Sequence, residues 1–340
     1  MQERFDGASQ ISPIFNLTGN RPFGDVADQS GIEHQDVGEL YRLTHILKGS
    51  ILPPELNKNK AVKNMKWVLR AATVFAVSFC ASVAVAEEKP IPYGDNPAAG
   101  HYYPIRGIKM YCEIYGAGKP LLMIHGNGGS IKAFAKNIPY FAARYQVIVA
   151  DSRAQGKSVD NGDALTFEMM ADDEAALLDA LHVPSAYVIG WSDGGIDALL
   201  LAMRHPEKVI KLAATGANIS PDASAFVHGL WKKEKKHYDA GKDKPRKTEK
   251  ERNDWKLFLL DWNEPHIALA DLHSIHCPSL IICGDHDAIS LEHTVRIFEN
   301  IPQGALWVVP NSGHATLMEH ADDFNRTVDD FFSKPFQPRK

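Results

Sequence analysis

Val188-Ile189-Gly190-Trp191-Ser192-Asp193-Gly194-Gly195 sets a serine between an apolar run and a helical pattern, with glycines two positions before and two after it. This G-x-S-x-G spacing describes a sharp turn that holds the serine in a strained backbone conformation, with neighbours small enough to pass adjacent strands. Such a turn exposes the hydroxyl at the carboxyl edge of a sheet and aims the next helix N-terminus at it. The five-residue pattern arises by chance in roughly one chain of this length in ten. Its place between strand and helix gives it weight.

Outward from the turn, short apolar runs alternate with amphipathic ones. Residues 102–115, interrupted near Gly107, read as a hairpin. Buried strands are expected at 121–125, 146–151, 186–190, 209–215, 279–283 and 305–309. Helical patterns occupy 130–145, 167–181, 194–205, 291–300 and 321–332. Strands alternating with helices of this length predict an α/β architecture, with a mostly parallel sheet covered on both faces. Residues 219–272 break the alternation. Ten Lys or Arg and six Asp or Glu crowd residues 231–255, a pattern usual for a solvated helical face. Phe226, Trp231, Tyr238, Trp255, Phe258 and Trp262 interleave with the charges, as in a small aromatic-lined cap.

A serine hydroxyl is inert without a base. His314, after Pro310-Asn311-Ser312-Gly313 and the last expected strand, is delivered to the same sheet edge; His286 and His320 are the reserves. A carboxylate must hold the base's tautomer, and Asp287, three residues after Gly284, has room to lie beside it. Asp285 is nearer the strand end and reads as a turn brace, with Asp222 a more distant choice. For the oxyanion, the turn Ile124-His125-Gly126-Asn127-Gly128-Gly129-Ser130 offers the backbone N–H of Asn127, and the elbow offers that of Asp193. That turn lacks the lysine and spacing of a phosphate-binding loop. Trp191, Asp193, Trp231 and Trp255 are candidate substrate contacts. Asp193, at the start of the expected helix, reads as a helix N-terminal acid.

Taken together, His125-Gly126, the Asp151-Ser152-Arg153-Ala154-Gln155-Gly156-Lys157-Ser158 turn, the Ser192 elbow, Gly284 to Asp287 and Gly313-His314 resemble the α/β-hydrolase family over residues 101–333. The family's turn usually carries glycine where this chain has Ala154. Gly190 to Gly195 with Gly216-Ala217-Asn218 resembles the biphenyl hydrolase-like branch, which includes α-amino-acid ester hydrolases; this resemblance implies the alternative that Asp193 is a counter-ion to a substrate ammonium. Epoxide hydrolases and haloalkane dehalogenases place Asp at the elbow, so Ser192 argues against both. The resemblance implies a Ser192–His314–Asp287 serine hydrolase acting on a small carboxylic ester or lactone, without cofactor or metal. Competing readings are a carbon–carbon bond hydrolase with the same three residues, and a non-catalytic binding protein that keeps the fold.

The chain of 340 residues carries a net charge of −5 and so has no global basic field to attract nucleic acid as a partner. Met65, Lys66 and Arg70 precede an apolar run from Ala71 to Val85 that ends Ala84-Val85-Ala86, the pattern of a signal peptide at 65–86. It is short for a membrane span. Export to the periplasm or medium is expected, with synthesis starting at Met65, residues 1–64 an upstream extension or disordered tail, and the hydrolase domain spanning 87–340. Cys112, Cys277 and Cys283 have no metal spacing and are expected to be packing residues, though export would permit a bridge from Cys112 to either partner.

Overall fold

The computed structural model describes residues 90–338, apart from 161 and 163. The readings of residues 1–64 and 65–86 lie outside the described residues.

Eight strands form one sheet: β1 (Gly100–Ile105), β2 (Ile108–Tyr115), β3 (Lys119–Ile124), β4 (Tyr145–Ala150), β5 (Ala186–Trp191), β6 (Val209–Thr215), β7 (Ser279–Gly284) and β8 (Gly304–Val309). Their order is β1-β2-β4-β3-β5-β6-β7-β8. The β1–β2 and β2–β4 pairs are antiparallel and every other pair is parallel. Parallel strands buried on both faces need apolar residues at every position, and β5 is buried throughout. Alternate residues serve opposite faces: Leu122, Ile124 and Ile148 enter one core, while Leu121, Met123 and Val147 enter the other.

The first core is covered by α2 (Phe167–Ala180), α3 (Asp193–Arg204) and α6 (Leu291–Asn300). The second is covered by α1 (Ile138–Ala142) and α8 (Ala321–Ser333), with α7 (Thr316–Glu319) between β8 and α8. The single helix expected at 130–145 is replaced by a 3₁₀ turn at Ile131–Phe134 and the short α1. Pro139 explains the division, because it cannot donate a backbone N–H to a preceding turn and its ring crowds residue 135.

Between β6 and β7 lie α4 (Leu230–Gly241) and α5 (Glu249–Asn263). A capping box between Thr248 and Glu251 starts α5. Leu257 and Leu260 of α5 join the first core, so this helix is packed on the sheet domain. The ends of the insert meet where Ile267 N–H donates to Ile219 O at 3.0 Å. Ala154 sits at φ 63°, the left-handed region that the family's glycine enters without strain. Cys112, Cys277 and Cys283 are free thiols. No helix among the described residues is long and apolar enough to cross a membrane.

Candidate active site

Ser192 sits at φ 58°, ψ −121°, between the end of β5 and the start of α3. The glycines around it answer to backbone crowding. A Cβ on Gly190 would lie 2.0 Å from Gly194 O, and one on Gly194 would lie 2.1 Å from Ile124 O. Nothing but hydrogen fits either place. The hydroxyl is buried and Ser192 Oγ has no hydrogen-bond partner among the described residues. Gly126 approaches closely enough that an added Cβ would lie 2.9 Å from Ser192 Cβ, which puts the loop carrying Asn127 against the serine.

His314 and Asp287 meet across 27 residues of chain, with His314 Nδ1 donating to Asp287 Oδ1 at 2.6 Å. Ile289 N–H also donates to that oxygen at 3.0 Å, fixing the carboxylate. With Nδ1 committed as donor, Nε2 is the basic nitrogen of the ring. Ser192 N–H donates to Thr215 O, and the next residue, Gly216, packs on the His314 ring. Serine and histidine therefore share a neighbour at the end of β6. Trp191 does not face an open cleft: its indole N–H donates to His314 O at 2.9 Å, bracing the histidine loop. Asp285 braces the same loop by accepting Ser312 N–H at 3.1 Å. Glu319 accepts Gly313 N–H at 2.7 Å. The reserve residues are placed elsewhere, an exposed His286 on Asp285 and a half-buried His320 on Asn311 O, while Asp222 closes a turn with Ser224.

Asn127 and Asp193 are linked through their side chains. Asn127 Nδ2 reaches Asp193 Oδ2 at 2.8 Å, Asp261 Oδ1 at 3.1 Å and Leu257 O at 3.2 Å. Both acids are buried. Asp193 and Asp261 both accept from Asn127 Nδ2, which sets the two buried carboxyl groups side by side. Burial raises the Asp193 carboxyl to about 6, while bonds from Asp261 and Asn127 oppose the shift. Burial raises Asp261 further, and the neighbouring charge of Asp193 adds to it. Glu234 of α4 lies close enough to raise Asp261 as well; its two carboxylate oxygens are buried and have no hydrogen-bond partner among the described residues. Sequence reasoning missed Asp261 and Glu234, since acids within charged helical segments read as solvated.

Trp231 and Trp255 belong to a ladder of rings that joins α4 to α5. Trp231 stacks on Trp262 at 4.6 Å, Trp262 on Tyr238 at 4.6 Å, and Trp255 stacks on Phe258 at 4.9 Å. Arg246 covers Trp255 at 3.9 Å. Their faces are thus occupied by packing within the insert. A surface depression of about 580 Å³, lined by Tyr102, Lys109, Lys157 and Val159 among others, shares no residue with the Ser192 site. Among the described residues no group of three or more His, Cys, Asp or Glu is arranged to hold a metal ion.

The elbow serine, the late histidine and the eight-stranded sheet define the α/β-hydrolase fold, and residues 119–241 match the family model of that fold. The chain is similar to the serine hydrolase BPHL of Mus musculus, at 27% identity over 73% of this chain and 91% of the relative. It is equally similar, at 27%, to a 2-hydroxymuconate semialdehyde hydrolase of a Pseudomonas species, over 71% of this chain and 96% of the relative. Among solved structures, a meta-cleavage product hydrolase of Pseudomonas fluorescens IP01 superposes with a TM-score of 0.58 at 22% identity, covering 70% of this chain and 99% of that one. An enol-lactonase of Burkholderia xenovorans LB400 gives 0.56 at 21%, covering 69% and 100%. At these identities the structural likenesses establish the fold alone. The chain has the α/β-hydrolase fold.

Proposed function

We propose that the protein hydrolyses small carboxylic esters or lactones through an acyl-enzyme on Ser192, with His314 as general base and acid and Asp287 holding its tautomer. The observation that carries the reading is the 2.6 Å contact of His314 Nδ1 with Asp287 Oδ1 at the sheet edge that also presents the strained, unpartnered Ser192. Ser192 Oγ attacks the acyl carbon as its proton passes to His314 Nε2; the alkoxide leaves with that proton, and water repeats the sequence in reverse. The backbone N–H groups of Asn127 and Asp193 receive the oxyanion.

Relatives named for carbon–carbon cleavage support a second reading with the same three residues. The charge around Ser192 weighs against it, because a dienoate such as the one in a relative's name is an anion, and Asp193, Asp261 and Glu234 are buried acids. An ester bearing an ammonium group suits the same surroundings. Export, with Glu87 as the first mature residue, is part of the proposal and rests on the sequence of residues 65–86. A fluorophosphonate label tests the chemistry directly. It should modify the wild-type protein and not Ser192→Ala, and a folded wild-type protein that resists the label overturns the reading.

A further inference from the structure

We propose that Asp261, on the insert helix α5, is a positioning residue for the oxyanion site: it fixes Asn127 and lends Asp193 a proton whenever the insert is seated over Ser192. This rests on the hydrolase reading above.

The argument begins with what the Asn127 amide can do. Its two N–H bonds face three acceptors, Asp193 Oδ2, Asp261 Oδ1 and Leu257 O, and two of the three belong to α5. The loop beside the nucleophile is therefore held from above by the insert. Removing α5 from this seat would leave Asn127 with Asp193 alone.

The second step concerns charge. Two buried carboxyl groups that meet on one amide nitrogen repel each other when both are ionised, which favours a pair that keeps one proton and one negative charge. The charged groups that face the pair are Glu234 from α4, Asp197 one turn along α3, and His314 from the loop after β8. Only His314 can supply positive charge. Asp193 matters most because its own backbone N–H helps to hold its carboxylate. That N–H is also the donor assigned to the oxyanion. An ionised Asp193 and the developing oxyanion thus draw on one donor and repel each other, whereas a proton shared with Asp261 weakens the competition. A seated insert delivers both the fixed loop and the proton.

The test uses the full-length protein and a neutral substrate, p-nitrophenyl acetate. Asp261→Ala should lower kcat by about 10- to 100-fold with little change in KM, because the loss falls on the oxyanion and not on ground-state contacts. Asp261→Asn can donate its amide to Asp193 in place of the shared proton, so it should recover kcat to within about threefold of wild type. Asparagine cannot lose that proton. The wild-type kcat should fall at alkaline pH as the pair takes its second charge, and this limb should be absent in Asp261→Asn. A merely structural role would lower the melting temperature without removing the limb. The inference is overturned if Asp261→Ala turns over like wild type, if Asp261→Asn is as impaired as Asp261→Ala, or if the alkaline limb persists in Asp261→Asn. Fluorophosphonate labelling of each variant reports separately on Ser192, so failure of the hydrolase reading is distinguishable.

Discussion

Gly216→Ala perturbs the proposed general base without replacing any charged or hydrogen-bonding side chain. Gly216 has φ +66°, and a Cβ there would lie 2.7 Å from His314 Cε1 and 2.9 Å from Nδ1. Ordinary contact begins near 3.4 Å, so the ring must retreat by about 0.7 Å. It has little freedom to do so. Asp287 holds Nδ1, and the Trp191 indole holds the His314 carbonyl. Misplacement of a reacting group by about 1 Å costs on the order of 100-fold, so kcat on p-nitrophenyl acetate should fall by about 10- to 100-fold. The left-handed backbone costs about 1–2 kcal/mol of stability in addition. Gly229→Ala separates the two effects, since Gly229 has φ +87° and nothing within 4 Å of an added Cβ. Thermal melts of the two variants should shift similarly, while only Gly216→Ala loses kcat. If both retain wild-type turnover to within about threefold, the placement of His314 against Gly216, or its catalytic role, is wrong.

The remaining expectations address the acids. Asp287→Asn should lower kcat by about 10⁴-fold, because an amide favours the wrong histidine tautomer; Asp285→Asn should lose far less, and the reverse order in a kinetic comparison would exchange their roles. Asp193→Asn should lose roughly 10- to 150-fold in kcat/KM on an amino-acid ester relative to its deaminated analogue, from an ion pair with a net value of about 1.5–3 kcal/mol. An unchanged ratio would leave Asp193 without a part in recognising substrate charge. Glu174 is buried in α2 and burial pushes its carboxyl up to about 8, so the folded state prefers it neutral. With a folded pKa above the unfolded one, its stabilising contribution is fully present below pH about 4.5 and lost as pH rises through about 8, amounting to about 3–5 kcal/mol. Urea unfolding of Glu174→Gln should therefore show a flatter pH dependence between pH 5 and about 9; curves parallel to wild type would contradict the assignment.

Much of this molecule is local and was legible in the chain. The strands expected at 186–190 and 279–283 match β5 and β7 to within a residue, because a run buried on both faces must be largely apolar. The elbow was legible for a similar reason: hydrogen atoms alone fit at Gly190 and Gly194. The 130–145 helix failed on a local signal, Pro139, that the hydrophobic periodicity outweighed. What tertiary structure decided is which distant groups share a proton or a hydrogen bond. Asp287 and Asp285 both follow the same glycine; sheet geometry brings the first to the His314 ring and turns the second to the backbone of Ser312. Trp231 and Trp255 read as substrate contacts from their aromatic character, and the packing of α4 on α5 commits their faces to other rings. Asp261 carries no distinguishing pattern in a charged helical segment. It acquires a role only because α5 packs on the sheet domain and buries its carboxyl against Asn127 and Asp193, residues 134 and 68 positions away, and burial against partners that remote has no signature in local sequence.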